Sequence, residues 1–142
     1  MQWSYPAVLE RHEDGEIVVR FPDLPEVLTG GSSEAEALAE AADALEEGVL
    51  AYMAAGQPAP LPREASPGEV AVPLDPVTAA RAELARVMRE QRISNVELAG
   101  RLSKSEGAVR RLVDGATGVK IDTVLEALRL LNRRATLVFA DA

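Results

Sequence analysis

The chain has 142 residues and 47% of them are hydrophobic, so it can bury a core as one domain or as two small ones. Cysteine is absent and His12 is the single histidine, which argues against a disulfide framework, a metal site and a histidine-based catalytic cluster. The first residues lack the pattern of a secretory signal, and no stretch approaches the roughly 20 apolar residues that span a bilayer. We therefore expect a cytoplasmic protein that needs no cofactor and does not enter a membrane.

The net charge of −8 is divided unevenly along the chain. Residues 1–75 hold three arginines against fifteen acidic residues, a net charge of −12, whereas residues 76–142 hold twelve basic residues against eight acidic ones, a net charge of +4. Such asymmetry predicts different partners for the two halves. The acidic half should repel nucleic acids and attract basic protein surfaces, unless its acidic residues only keep the domain soluble.

The first thirty residues predict a small sheet. Residues 3–10 alternate in the manner of a strand, Asp14-Gly15 is a strong hairpin turn signal, and residues 16–21 form the β-branched return strand. We expect residues 22–25, which include two prolines, to break this strand, and residues 27–29 to form a short third one.

One long amphipathic helix should follow. Residues 33–36, S-E-A-E, predict a capping box with Ser33 at the N-cap, and Gly56 is a plausible end. The predicted core stripe recurs at steps of three and four and consists of Ala35, Leu38, Ala42, Leu45, Val49 and Tyr52. Residues 56–69 contain four prolines and predict an exposed, stiff loop, after which residues 70–74 can add a strand.

The basic half predicts about four helices. Asp75 and Pro76 open the first as N-cap and first helical residue, and Ser94 opens the second. Ser103 with Glu106 predicts a third capping box. A last helix should be capped by Asp122 or Thr123, and the apolar residues 135–139 are expected to form a terminal strand that contacts a second copy of the chain.

Residues 98–112 carry the functional signal of this half. Leu98, Leu102, Val109 and Leu112 recur at helical spacing around a polar break, with the small Ala99 where two helices would cross. This pattern predicts a helix-turn-helix, whose second, basic helix fits the DNA major groove. The predicted DNA-contacting residues are Lys104, Ser105, Glu106, Arg110 and Arg111.

Among these residues, Arg110 could read guanine, while the others more readily touch phosphate. For Arg111 the alternative is a salt bridge with Asp114 or Glu106 at helical spacing. A catalytic function is not favoured, because a two-metal nuclease needs several converging carboxylates, and Asp14 and Asp23 lie in separate turns. We expect a protein that is not an enzyme.

The order of the segments resembles that of HicB-type antitoxins from bacterial toxin–antitoxin pairs. The residues that carry the resemblance are 5–10, 14–15, 19–25 (V-R-F-P-D-L-P), 29–31, 34–38 and 42–45. It implies an α+β chain with a partial ribonuclease-H-like sheet and one long helix, without nuclease activity, as a toxin-binding domain over residues 1–74. Residues 75–142 would be an all-α helix-turn-helix domain for DNA binding and dimerisation.

The resemblance also implies a function. The N-terminal domain would neutralise a small basic HicA-type toxin, a ribonuclease that cleaves messenger RNA, and its charge of −12 suits such a partner. The helix-turn-helix would repress the pair's own operon as a homodimer or tetramer, because two recognition helices must meet half-sites about 34 Å apart on operator DNA. The alternatives are a one-component helix-turn-helix regulator with a ligand-sensing N-terminal domain, and a ribonuclease-H-like nuclease.

Overall fold

The computed structural model describes residues 1–141 and has an α+β fold, as predicted. Its elements, in chain order, are β1 (Ser4–Arg11), β2 (Ile17–Phe21), β3 (Leu24–Gly31), α1 (Glu34–Ala54), β4 (Val70–Pro73), α2 (Pro76–Gln91), α3 (Asn95–Leu102), α4 (Glu106–Val113) and α5 (Ile121–Leu130). They form two compact units, the sheet unit, Met1–Ala79, and the helical unit, which begins at Ala80. The division falls inside α2, so the first turn of this helix belongs to the sheet unit.

The four strands form one antiparallel sheet in the order β3-β2-β1-β4. The central strand β1 pairs through its first half with β4, where Tyr5 faces Val72, and through its second half with β2. The inward side chains of these strands are fully buried at Tyr5, Val19 and Phe21. The hairpin and the added strand from residue 70 are therefore confirmed.

The third strand is longer than predicted and begins at Leu24, directly after a turn at Pro22 and Asp23. Phe21 pairs with Leu24 but Arg20 pairs with Leu28, so the three residues between them bulge out of the ladder. Pro25 lies in this bulge on an edge strand, a place where the missing N–H of proline costs no ladder hydrogen bond.

Helix α1 begins as predicted, with the hydroxyl of Ser33 accepting a hydrogen bond from the N–H of Glu36. Its core stripe differs from the prediction. Leu45 and Val49 are buried, but Ala35 is exposed, and the buried face is Ala37, Ala41, Leu45, Val49 and Met53. Small residues face the sheet because the helix lies close to β3: a Cβ at Gly31 would stand 2.7 Å from the backbone nitrogen of Ala37.

The helical unit packs α2 to α5 around one core. The buried members are Leu84, Val87, Met88, Leu98, Ala99, Leu102, Val109, Leu112, Val124, Ala127, Leu128 and Leu131. The predicted caps at Asp75 and Ser94 are confirmed: Asp75 accepts from the N–H groups of Val77 and Thr78, and Ser94 from that of Glu97.

Three local predictions in this half are wrong. Ser103 ends α3 in a left-handed conformation and does not begin α4, whose N-cap is Ser105. Helix α5 begins after Lys120 without a side-chain cap, and Asp122 lies in its first turn. Residues 135–139 form no strand, because a strand needs a partner strand, and the elements described in this unit are helices.

Candidate nucleic-acid interface

The turn between α3 and α4 is built from three polar residues. Ser103 adopts φ 55°, ψ 44°, and the N–H of Lys104 donates to the carbonyl of Ala99 at 3.0 Å, which closes the end of α3. The hydroxyl of Ser105 then accepts from the N–H of Ala108 at 3.1 Å and opens α4. The chain thus changes direction within three residues, as a helix-turn-helix requires.

Helix α4 has one buried face and one exposed face. Val109 and Leu112 lie in the core, whereas Arg110 and Arg111 are exposed. A guanidinium nitrogen of Arg110 donates to the carboxylate of Glu106 at 2.9 Å, one turn earlier on the helix. The exposed arginines therefore stand on the outward side of the helix, where a DNA duplex could approach them.

The five predicted contact residues lie in one stretch, 104–111, but their side chains differ in what they already bind. Lys104 is exposed, and Ser105 is occupied as the N-cap, although its hydroxyl hydrogen can still be donated to a phosphate. Glu106 holds Arg110, which suits an orienting role better than a phosphate contact, because a carboxylate repels phosphate.

Arg111 does not form the salt bridge considered from the sequence. Its guanidinium donates to the backbone carbonyl of Thr117 at 3.1 Å, in the loop that follows α4. The carboxylate of Glu106 pairs with Arg110 instead. Arg111 thus links α4 to the loop after it. It remains an exposed cation, next to Arg110 in the chain.

A further residue near this interface, not expected from the sequence, is Arg81 of α2, which is only 5% exposed. Its Nε donates to the carbonyl of Leu112 at 2.9 Å, and a terminal guanidinium nitrogen donates to that of Arg111 at 3.1 Å. A signal was available, because position 81 shares helical spacing with the apolar Val77, Leu84 and Met88. A charged residue on an apolar stripe needs a buried partner.

The carboxylates considered for catalysis have separate structural roles. Asp14 accepts from the N–H of Glu16 at 2.9 Å within the hairpin turn, and Asp23 lies 2.9 Å from Nε of Arg63. Arg63 also pairs with Glu69 and holds the pKa of that carboxyl at about 2. Within residues 1–141, no three histidine or acidic side chains are placed to hold a metal ion, and no helix is long and apolar enough to cross a membrane.

The acidic half keeps its surplus of negative charge exposed. Each of its three arginines is paired with a carboxylate: Arg11 with Glu34, Arg20 with Glu10, and Arg63 with Asp23 and Glu69. Helix α1 carries six acidic residues and no basic one. The sheet unit therefore presents carboxylates without a compensating cation, while the helical unit presents arginines.

This arrangement defines a class of protein in which an acidic sheet unit precedes a helix-turn-helix unit. Residues 4–83 match the family model described as HicB-like antitoxin of bacterial toxin–antitoxin systems. The chain is 38% identical over 134 residues to "Antitoxin HicB 2" of Photorhabdus laumondii, covering 94% of each chain. It is 32% identical over 136 residues to "Antitoxin HicB" of Escherichia coli, covering 94% of this chain and 97% of the relative.

The matches extend through both units of the chain. A second relative from Photorhabdus laumondii, "Antitoxin HicB 1", is 34% identical over 133 residues, covering 94% of this chain and 84% of that one. The chain belongs to the HicB-like antitoxin family of bacterial toxin–antitoxin systems. The resemblance read from residues 5–45 is thereby confirmed.

Proposed function

We propose that this antitoxin binds and neutralises a HicA-type ribonuclease that cleaves messenger RNA, and that it represses its own operon by binding operator DNA. The observation that carries the proposal is the division of charge between two units of a HicB-like chain. Residues 1–75 have a net charge of −12 and residues 76–142 a net charge of +4. Each unit is thus suited to a partner of opposite charge.

The toxin partner is proposed for the sheet unit. A ribonuclease must present a cationic surface to its RNA substrate, and an acidic protein surface competes for the same cations. The exposed acidic residues of α1 include Glu40, Asp43 and Glu47, which make no ion pair among the described residues. Such like charges three and four residues apart disfavour the helix alone and become favourable when a basic partner binds.

Operator DNA is the proposed partner of the helical unit. Helix α4 would enter the major groove with Arg110 directed at base edges, oriented by Glu106. Lys104, Ser105 and Arg111 would contact phosphates and fix the register of the helix on the duplex. These residues lie in the turn before α4, at its start and on its exposed side.

A homodimer or tetramer would supply the second recognition helix, because half-sites on DNA lie about one helical turn apart. The segment proposed to join the copies is the tail after α5. Its apolar residues Leu137, Val138 and Phe139 are 65%, 79% and 88% exposed. Three neighbouring apolar side chains at this exposure are typical of a surface that becomes covered in an assembly.

The proposal is tested by coexpressing the chain with the product of the adjacent short reading frame. We expect the two proteins to purify together and the antitoxin to restore growth. The charge-reversed variant with Glu40→Lys, Asp43→Lys and Glu47→Lys should lose most of this binding, measured by calorimetry at low salt. The matched control reverses three exposed acidic residues of the other half, Asp122, Glu126 and Asp141, and should bind the toxin as the wild type does.

Two results would reject the toxin assignment. The first is failure of the wild-type chain to bind the neighbouring protein. The second is an equal loss of binding in both charge-reversed variants, since the surface of the sheet unit would then have no special role.

A further inference from the structure

We propose that Arg81 is a positioning residue for DNA recognition, which fixes the C-terminal end of α4 from its place on α2. This inference rests on the proposed operator binding. Arg81 touches no DNA in this proposal; it acts through the backbone of the helix that does.

The geometry is that of a side chain capping a helix end. The last four carbonyl groups of an α-helix have no partner within the helix. In α4, two of these carbonyls, those of Arg111 and Leu112, accept hydrogen bonds from the guanidinium of Arg81 at 3.1 and 2.9 Å. The positive charge also lies at the negative end of the helix dipole.

Other helices of the chain are closed differently. In α1, α3 and α5 the backbone N–H of the C-cap residue donates to the preceding carbonyls. Such a closure depends only on the local chain. At α4 the closing donor comes from another helix, thirty residues earlier, so the end of α4 is tied to α2.

Burial makes this tie strong. Arg81 is 5% exposed, and a guanidinium removed from water is costly unless its donors are satisfied. A shift of α4 along its axis would break the hydrogen bonds to the carbonyls and leave a buried cation without these acceptors. Arg81 therefore resists such shifts, which would move Arg110, the residue proposed to read bases, away from its register.

Helix α2 also offers a matched control. The side-chain amide of Gln91 donates to the carbonyl of Leu131, at the end of α5, at 3.0 Å. Gln91→Met removes a hydrogen bond between α2 and the end of a helix outside the proposed interface. Arg81→Met removes the two hydrogen bonds from α2 to the end of α4. A general loss of packing would affect both variants, but a positioning role would affect only the second.

The test measures binding of the full-length chain to two duplexes, the DNA immediately upstream of the operon that encodes the toxin and the antitoxin, and a shuffled duplex of equal length. We expect Arg81→Met to weaken binding to the upstream duplex by about tenfold or more, the effect of losing one well-placed base contact. Binding to the shuffled duplex should change little, because phosphate contacts tolerate a displaced helix. The Arg81→Lys variant keeps the charge but not the planar fork. Its affinity for the upstream duplex should fall between those of the wild type and Arg81→Met.

Amide hydrogen exchange gives a readout that does not depend on DNA. In Arg81→Met, the amides of α4 should exchange faster than in the wild type while those of α5 do not, and Gln91→Met should show the reverse. If Arg81→Met does not fold, the same comparison is made with Arg81→Lys. Unchanged exchange in α4 in a folded variant overturns the inference.

The two proposals fail in different ways. A wild-type chain that does not prefer the upstream duplex would reject operator binding, and the exchange data would still decide whether Arg81 holds α4. A wild-type chain that does prefer it, with equal preference in Arg81→Met and Arg81→Lys, would reject the role of Arg81 while leaving operator binding intact.

Discussion

The two units of this antitoxin use their arginines in opposite ways. In the sheet unit, each of the three arginines binds a carboxylate, so the remaining acidic residues give the surface its charge. In the helical unit, seven basic residues make no ion pair within residues 80–141, namely Arg89, Arg92, Lys104, Arg111, Lys120, Arg129 and Arg134. The unpaired charges of each unit, more than the paired ones, determine what it attracts, because a surface ion pair presents little net field.

The ion pairs of the two units also differ in how they are formed. Those of the sheet unit do not join residues one helical turn apart, as the pair of Arg11 with Glu34 illustrates. Those of the helical unit are mainly one turn apart on a helix, such as Arg101 with Glu97 and Arg110 with Glu106. Helical pairs of this kind contribute only a few tenths of a kcal/mol, about 0.2–0.5. The pair on α4 therefore matters more for orientation of Arg110 than for stability.

The largest effect is expected when the cationic face of α4 is removed. Arg110→Ala combined with Arg111→Ala should lower affinity for the operator by about 100-fold or more, since a base contact and a phosphate contact are lost together. The dependence of affinity on salt should become shallower, and toxin neutralisation should be unchanged. Fluorescence anisotropy over a range of salt concentrations measures the first two.

The control for this prediction removes the same charge from the sheet unit, through Arg11→Ala combined with Arg20→Ala. Operator affinity should then stay near that of the wild type. An equal loss in both double variants would mean that net charge alone governs DNA binding, and the contrast between the units would not hold.

A smaller change, in the unfolding free energy, is expected when a side chain is added where α1 and β3 approach each other. Gly31→Ala places a Cβ 2.7 Å from the backbone nitrogen of Ala37, so the helix must move. Overpacking of this kind costs about 1–3 kcal/mol of unfolding free energy. Gly100→Ala is the matched change in the helical unit, where the added Cβ meets no atom within 4 Å, and should stabilise α3. Urea unfolding of both variants should give opposite signs; a Gly31→Ala variant as stable as the wild type would refute the close approach at Gly31.

A substitution in the turn of the helix-turn-helix should change the unfolding free energy in the opposite direction to Gly31→Ala. Ser103 has φ 55°, in the left-handed region that favours glycine. Ser103→Gly should therefore raise the unfolding free energy by about 1 kcal/mol, the usual cost of this conformation for a residue with a side chain. Thermal unfolding followed by circular dichroism checks it, and a lower Tm would show that the serine side chain has a role that the structure does not display.

The smallest effect concerns the loop after α1. The folded pKa of Glu69 is about 2, below its ordinary value of 4.5, because Arg63 pairs with it. The pair therefore stabilises the fold above the ordinary pKa, and this contribution disappears as the pH falls from about 5 toward 2. The Tm difference between the wild type and Arg63→Met should be small at pH 7 and shrink further in acid. A difference that grows as the pH falls would contradict the assignment.

Much of this molecule follows from local sequence. Asp14-Gly15, Ser33, Asp75 and Ser94 each act through neighbours within four residues, and each predicted turn or cap is present. The alternation of the strands and the spacing of Leu98, Leu102, Val109 and Leu112 are likewise properties of short segments. Family membership follows in the same way, from motifs within residues 5–45.

Predictions that needed a distant partner were wrong or incomplete. The face of α1 that is buried depends on how closely β3 approaches, which the helix sequence does not contain; the actual stripe is Ala37 and its neighbours at steps of four. Residues 135–139 have the composition of a strand but no strand beside them. Ser103 and Ser105 are both able to cap a helix, and only the packed turn decides which of them does.

The sequence by itself determined most of the helices and strands, the division of charge and the cations of α4, because capping, turn formation and net charge depend on residues close together in the chain. The tertiary structure alone decided that Arg81 meets the carbonyls of Arg111 and Leu112, thirty residues away. A buried guanidinium must find acceptors, but which acceptors it finds depends on the packing of one helix against another.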